Sequence, residues 1–203
     1  MKPLLIALAA VALCFGAAVA DHHEGAQSHE GHAHAEAAEA AETAEAAAPP
    51  MGPPAEMKEL EIMNGTYTVK FFYKENPMGP DWTETEATAV MSPTVGGGAQ
   101  QMLFEGNMMG MDFTGMGLTS FDRETKKWQM IWVDSMGARI SNYTGDFKDG
   151  SLVVSGKDLQ GGMTIHSRLS TYNITEKGFD WKYEMSLDGT TYLDAAKATY
   201  TKQ

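Results

Sequence analysis

The chain has 203 residues, with 27 acidic against 15 basic side chains and a formal net charge of −12. Such a balance offers no basic patch to a phosphate backbone, so nucleic acid is excluded as an expected partner, and anionic lipid would repel it. Cys14 is the only cysteine, and His166 is the only histidine beyond residue 34, which leaves little for thiolate or histidine-based catalysis.

The amino terminus reads as an export signal over residues 1–20. Met1-Lys2 is a short basic start, an apolar run follows, and Ala18-Val19-Ala20 forms a small-residue cleavage site. The run is too short to span about 30 Å of hydrocarbon, so no stable membrane insertion is expected. Leu13 before Cys14 is the wrong residue for lipidation. The mature chain would begin at Asp21 in the periplasm or outside the cell, and it would hold no thiol. A new terminus of Asp21-His22-His23 supplies an amine, two amides and an imidazole, a square-planar nitrogen set suited to Cu(II) or Ni(II). His29, His32 and His34 add further imidazoles, though a flexible chain loses entropy in gathering them.

Residues 21–57 contain no Lys or Arg and are rich in His, Ala, Glu and Pro. They read as a disordered linker, with nothing larger than alanine on the Ala/Glu stretch to dock it. A folded domain is expected over 58–203. A short helix over 55–63 carries Met57, Leu60, Ile62 and Met63, which can cover the end of a sheet. Strands are predicted at 66–74, 83–91, 100–108, 112–121, 127–135, 139–147, 151–157, 163–174, 179–187 and 191–202. Asp149-Gly150 and Asp188-Gly189 mark hairpins. About ten short strands suggest an all-β antiparallel meander closed into a lipocalin-like barrel, with a flattened sandwich as the alternative.

Several blocks resemble the bacterial domain-of-unknown-function family numbered 1579, over about residues 58–202. The specific ones are Met108-Met109-Gly110-Met111-Asp112-Phe113 and Trp132-Val133-Asp134-Ser135-Met136-Gly137. Leu60, Gly65-Thr66-Tyr67, Gly96-Gly97, Phe104-Glu105-Gly106, Phe121-Asp122 and Tyr200-Thr201-Lys202 support them. The resemblance implies a calycin-type barrel and no agreed activity. Barrels of this type often set a last-strand Arg against a Trp near the first strand. Here Lys202 and Tyr67 take those places, which implies a weaker cation–π clamp. Where the family pattern has Arg after the glycine pair, this chain has Gly98, and Gly96-Gly97-Gly98 is expected as a mobile loop at the barrel mouth.

Two chemistries compete for the methionines Met102, Met108, Met109, Met111 and Met116, followed by Met130 and Met136. Thioethers suit Cu(I), but methionine also fills irregular cores, and the core reading is the simpler one. Trp128, Met130, Trp132 and Asp134 share one strand face, and Trp181, Tyr183 and Met185 share another. With Phe113 they form the expected lining for a small apolar or amphipathic ligand. Asp134 reads either as a polar handle on that ligand or as a hydrogen-bond anchor at a strand end. His166, Arg168 and Tyr172 lie opposite Ile165 and Leu169, so they are expected to face solvent; pairing Asp134 with His166 as acid and base would require them to meet. No nucleophile elbow, phosphate loop or dinucleotide fingerprint occurs, so the chain is expected to be a binding protein rather than an enzyme, with no cofactor in the barrel. Copper or nickel binding in the periplasm, by the His-rich tail and the Met-rich segment, is the alternative. The sequence leaves oligomeric state open.

Overall fold

Ten alternating runs become ten antiparallel strands in the computed structural model, which describes residues 51–203. The expected signal peptide, most of the linker and the metal ligands Asp21, His22, His23, His29, His32 and His34 lie outside the described residues. The strands are β1 (Gly65–Tyr73), β2 (Thr83–Thr94), β3 (Ala99–Met108), β4 (Met111–Asp122) and β5 (Lys127–Asp134). They continue as β6 (Ser141–Lys148), β7 (Ser151–Gln160), β8 (Met163–Thr175), β9 (Gly178–Ser186) and β10 (Leu193–Lys202). Each pairs with its neighbour in sequence, and β10 returns to β1 to close a barrel. Closure leaves no open sheet edge and rules out the sandwich. Among the described residues no helix is long and apolar enough to cross a membrane.

Alternation decides which side chains enter the lumen. On β1, Tyr67, Val69, Phe71 and Tyr73 are buried while Thr66, Thr68 and Lys70 face out. Turn chemistry sets the register. Asp149 and Gly150 both take left-handed φ, +52° and +73°, as a two-residue type I′ hairpin requires. The Asp188-Gly189 pair lies instead in a longer connection from Ser186 to Leu193. There Asp188 Oδ1 accepts hydrogen bonds from Ser186 Oγ and from the amides of Thr190 and Thr191.

One end of the barrel is plugged. Residues Ala55–Met63 form a 3-10 helix whose buried side chains are Met57, Leu60 and Met63, spaced by the three-residue repeat of that helix. The same repeat turns Ile62 outward, contrary to its expected place with the other three; it is exposed. Gln100 Nε2 donates to Leu60 O (2.8 Å), Tyr67 Oη to Met63 O (2.7 Å) and Lys202 Nζ to Ile62 O (3.2 Å). The expected Lys202–Tyr67 clamp is thereby replaced: both residues hold the plug. The Tyr67 ring packs edge-on to Phe179 and Tyr200. The glycine triplet is also corrected, because the β2–β3 turn it forms lies at the plugged end. It is tied there by Gly98 N to Val95 O and by Ser120 Oγ to Gly98 O.

Candidate functional site

The opposite end is the mouth, ringed by connections 74–82, 109–110, 135–140, 161–162 and 187–192. Side chains facing the lumen near it are large yet only partly buried: Met108, Trp132, Met136, Trp181 and Tyr183. At the base, by contrast, Leu60, Tyr67 and Val69 have no more than 1 % exposure. The plug covers the base, although Phe121, Phe147 and Ile174 there are also only partly buried, and near the mouth Phe113, Ile165 and Met185 are buried among the partly accessible side chains.

Two aromatic walls meet at its floor. Phe71 stacks on Trp181 (6.1 Å between centroids, 27°), and Trp181 stacks on Tyr183 (6.3 Å, 9°). Across the floor Phe104 meets Phe71 (5.8 Å), Phe113 (5.8 Å) and Trp132 (6.5 Å) edge-on. The Trp132 indole lies over Gly115 and Gly117 of β4; a Cβ at Gly115 would overlap its six-membered ring. Asp134 fixes the other edge of that indole, accepting from Trp132 Nε1 at 2.9 Å. The same carboxylate accepts from the amides of Met136 (3.0 Å) and Gly137 (2.6 Å). Asp134 is thus an anchor that orients Trp132 and shapes the β5–β6 loop. Ser135 does not pair with it; its Oγ accepts from Thr114 N. This joins the β5–β6 loop to the start of β4, so the two most specific blocks of the family resemblance meet at the mouth.

A polar group sits on the far side of the lumen. Ser167 Oγ and Tyr183 Oη are 3.0 Å apart. Burial pushes the Tyr183 phenol above its ordinary value, the Ser167 hydroxyl pulls it back, and the Asp158 charge adds to the rise. Burial likewise raises Tyr143, with Tyr183 adding to the effect and Ser141 opposing it. Asp158, inward-facing on β7, is paired with Arg139 of the rim.

The expected lining divides by depth. Phe113, Trp132, Trp181 and Tyr183 stand at or near the mouth. Met185 joins Ile165 and Ala195 in a small separate cluster that Tyr183 also touches. Trp128 is deeper, packed on Phe121 (5.5 Å) and Phe147 (6.2 Å), and Met130 is in the main core beside it. An interior void bounded in part by Met63, Gln100, Met130 and Trp181 measures about 30 Å³, the share of one water. Phe71, Phe104, Tyr143, Asp158 and Ser167 were not anticipated. Phe71 has the parity of Val69, and Asp158 the parity of Leu152 and Val154 once β7 is carried past residue 157 to Gln160.

Other candidates separate. His166 and Arg168 face outward between Ile165, Ser167 and Leu169, so Asp134 and His166 are on opposite sides of the wall. Arg168 makes two hydrogen bonds to Glu184 (2.8 and 2.9 Å) and lies 4.2 Å from the Tyr192 ring. The methionines disperse: Met102 and Met130 pack in the core, Met109 and Met111 are exposed at the β3–β4 turn, and Met116 accepts from Gln101 on the outer wall. Among the described residues no three His, Cys, Asp or Glu side chains converge as a metal site.

The family model described as protein of unknown function (DUF1579) matches residues 52–202. No curated protein matches in sequence. Among solved structures the chain is similar to Rv2717c from M. tuberculosis, with a TM-score of 0.51 and 11 % identity over 74 % of this chain and 99 % of that one. It is also similar to the S-type phycobiliprotein lyase CPES from Guillardia theta, with a TM-score of 0.47 and 12 % identity over 74 % of this chain and 98 % of that one. At 11 % identity the first likeness concerns the barrel fold.

Proposed function

For a chain that belongs to the DUF1579 family, we propose the role of an exported, non-catalytic binding protein that seats a small apolar or amphipathic molecule in the mouth of its barrel. The observation that carries this reading is the cluster of inward-facing, only partly buried aromatic side chains at the unplugged end, Trp132, Trp181 and Tyr183. Burying such surface stabilises a bound state by roughly 25 cal/mol per Å² before binding costs. The deep void of about 30 Å³ is far below the roughly 300 Å³ that small-molecule sites begin at. The ligand therefore sits between the Trp132 and Trp181 walls rather than below them. The export part of this reading rests on the signal-like pattern of residues 1–20.

Titration with a neutral fluorophore such as dansylamide tests this. Saturable enhancement at tens of micromolar is expected, with quenching of tryptophan emission and at least a fivefold weaker Kd in Trp132→Ala. No binding at that concentration, or binding indifferent to Trp132→Ala, overturns the mouth as the site.

A further inference from the structure

Asp158 is the unusual group of the lumen. Its side chain is 9 % exposed, on the same inward face of β7 as Leu152 and Val154. A carboxylate taken that far from water requires charge compensation. What it has is slight. Arg139 Nε stands 4.0 Å from Asp158 Oδ1, and that side chain is 43 % exposed. Arg139 Nη1 is already donating to Leu159 O at 2.6 Å. Asp134, the other inward-facing strand carboxylate near the mouth among the described residues, has both oxygens occupied by Trp132 Nε1 and two amides. Among the described residues, no inward-facing strand position near the mouth carries Lys or Arg.

Resting on the mouth as the binding site, we propose that the ligand is a cationic amphiphile: a planar or apolar body carrying a protonated nitrogen that hydrogen-bonds to Asp158. The body lies against Trp181, Tyr183 and Trp132. The nitrogen donates to the carboxylate, with the Tyr143 and Tyr183 hydroxyls beside it as further acceptors. The same aromatic faces favour a cation electrostatically. The net charge of −12 raises the local concentration of cations and disfavours anions.

Three probes that share one fluorophore and differ in charge make the test: dansylcadaverine (cationic), dansylamide (neutral) and dansylglycine (anionic). The cationic probe is expected to bind about tenfold more tightly than the neutral one, the effect of one charge-assisted hydrogen bond, and the anionic probe more weakly than either. Asp158→Asn should abolish the cationic preference. Asp146→Asn removes an equal charge from the outer wall, where Lys127 Nζ bonds it at 2.8 Å, and should leave the preference intact. Equal affinities for the three probes in the native protein, or a preference that survives Asp158→Asn, would overturn the cationic assignment while leaving the mouth as a site. Failure of all three probes would remove the site itself. If Asp158→Asn does not fold, the native charge series still decides.

Discussion

At the scale of single residues, the mouth depends on one space left empty. Gly115 and Gly117 face the lumen on β4, and the Trp132 indole of β5 occupies the volume their side chains would take. In Gly115→Ala the new methyl would meet the six-membered ring, so the indole must tilt away from Asp134 Oδ2. Overpacking of this kind costs about 1–3 kcal/mol. The expected result is a lower urea midpoint, a red-shifted tryptophan emission and weaker dansylamide binding. An unchanged midpoint and spectrum would mean that the indole has room to shift, and that the glycine bed does not set its orientation. The sequence showed Trp132 and Asp134 on one face but could not say what they faced. A glycine is uninformative until its cross-strand partner is known, and Asp134 stayed open between ligand handle and strand-end anchor because its donors, two loop amides, have no side-chain signature.

Elements were more legible than contacts. Strand positions follow from local alternation and turn residues, which is why all ten were placed and only their ends moved. The moved ends mattered, since β7 extends to Gln160 and carries Asp158 into the lumen. Lys202 and Tyr67 do stand opposite each other on β10 and β1, but the plug, a non-local contact, takes the polar atom of each, so the pair makes plug bonds in place of the expected cation–π clamp. The plug shows the same limit: its residues were identified, but the 3-10 repeat selects Met57, Leu60 and Met63 and rejects Ile62. Because Leu60 is 1 % exposed beneath the barrel base, Leu60→Ala should cost about 3 kcal/mol in urea unfolding. Tyr67→Phe deletes the bond to Met63 O and should cost about 1 kcal/mol. If Leu60→Ala changed stability by only a few tenths, the helix would be an appendage rather than the seal of the barrel.

Across the whole molecule the two ends differ in chemistry. Each mouth connection carries or adjoins an exposed apolar side chain: Met78, Met109, Ile140, Met163 and Leu187. The base turns at 123–126, 149–150 and 176–177 are charged, with Val95 the apolar exception. Such a rim suits the passage of amphipathic molecules into an aromatic lumen. Ionisation should limit the fold from both sides. Arg168, then Lys182, hold Glu184 below its ordinary value, while the Thr125 hydroxyl and the Thr191 amide do the same for Asp122 and Asp188. A carboxylate whose folded value is depressed stabilises above its unfolded value and loses that contribution as pH falls through the folded one. Loss should therefore begin below about pH 4.5. The raised phenols act in the opposite sense. Tyr67, Tyr143, Tyr183 and Tyr200 are all pushed up by burial, so their contribution is complete below the unfolded value and declines as pH climbs beyond about 10. Melting temperature against pH should show a plateau between these limits. Glu184→Gln should lower that plateau by about 2 kcal/mol in stability and flatten its acid side, because the Arg168 bonds are then no longer lost by protonation. An acid limb as steep in Glu184→Gln as in the native protein would place the acid sensitivity elsewhere. Phenolate absorbance amounting to all seven tyrosines, before any loss of near-ultraviolet circular dichroism, would show that the buried four titrate in the folded barrel and do not limit it.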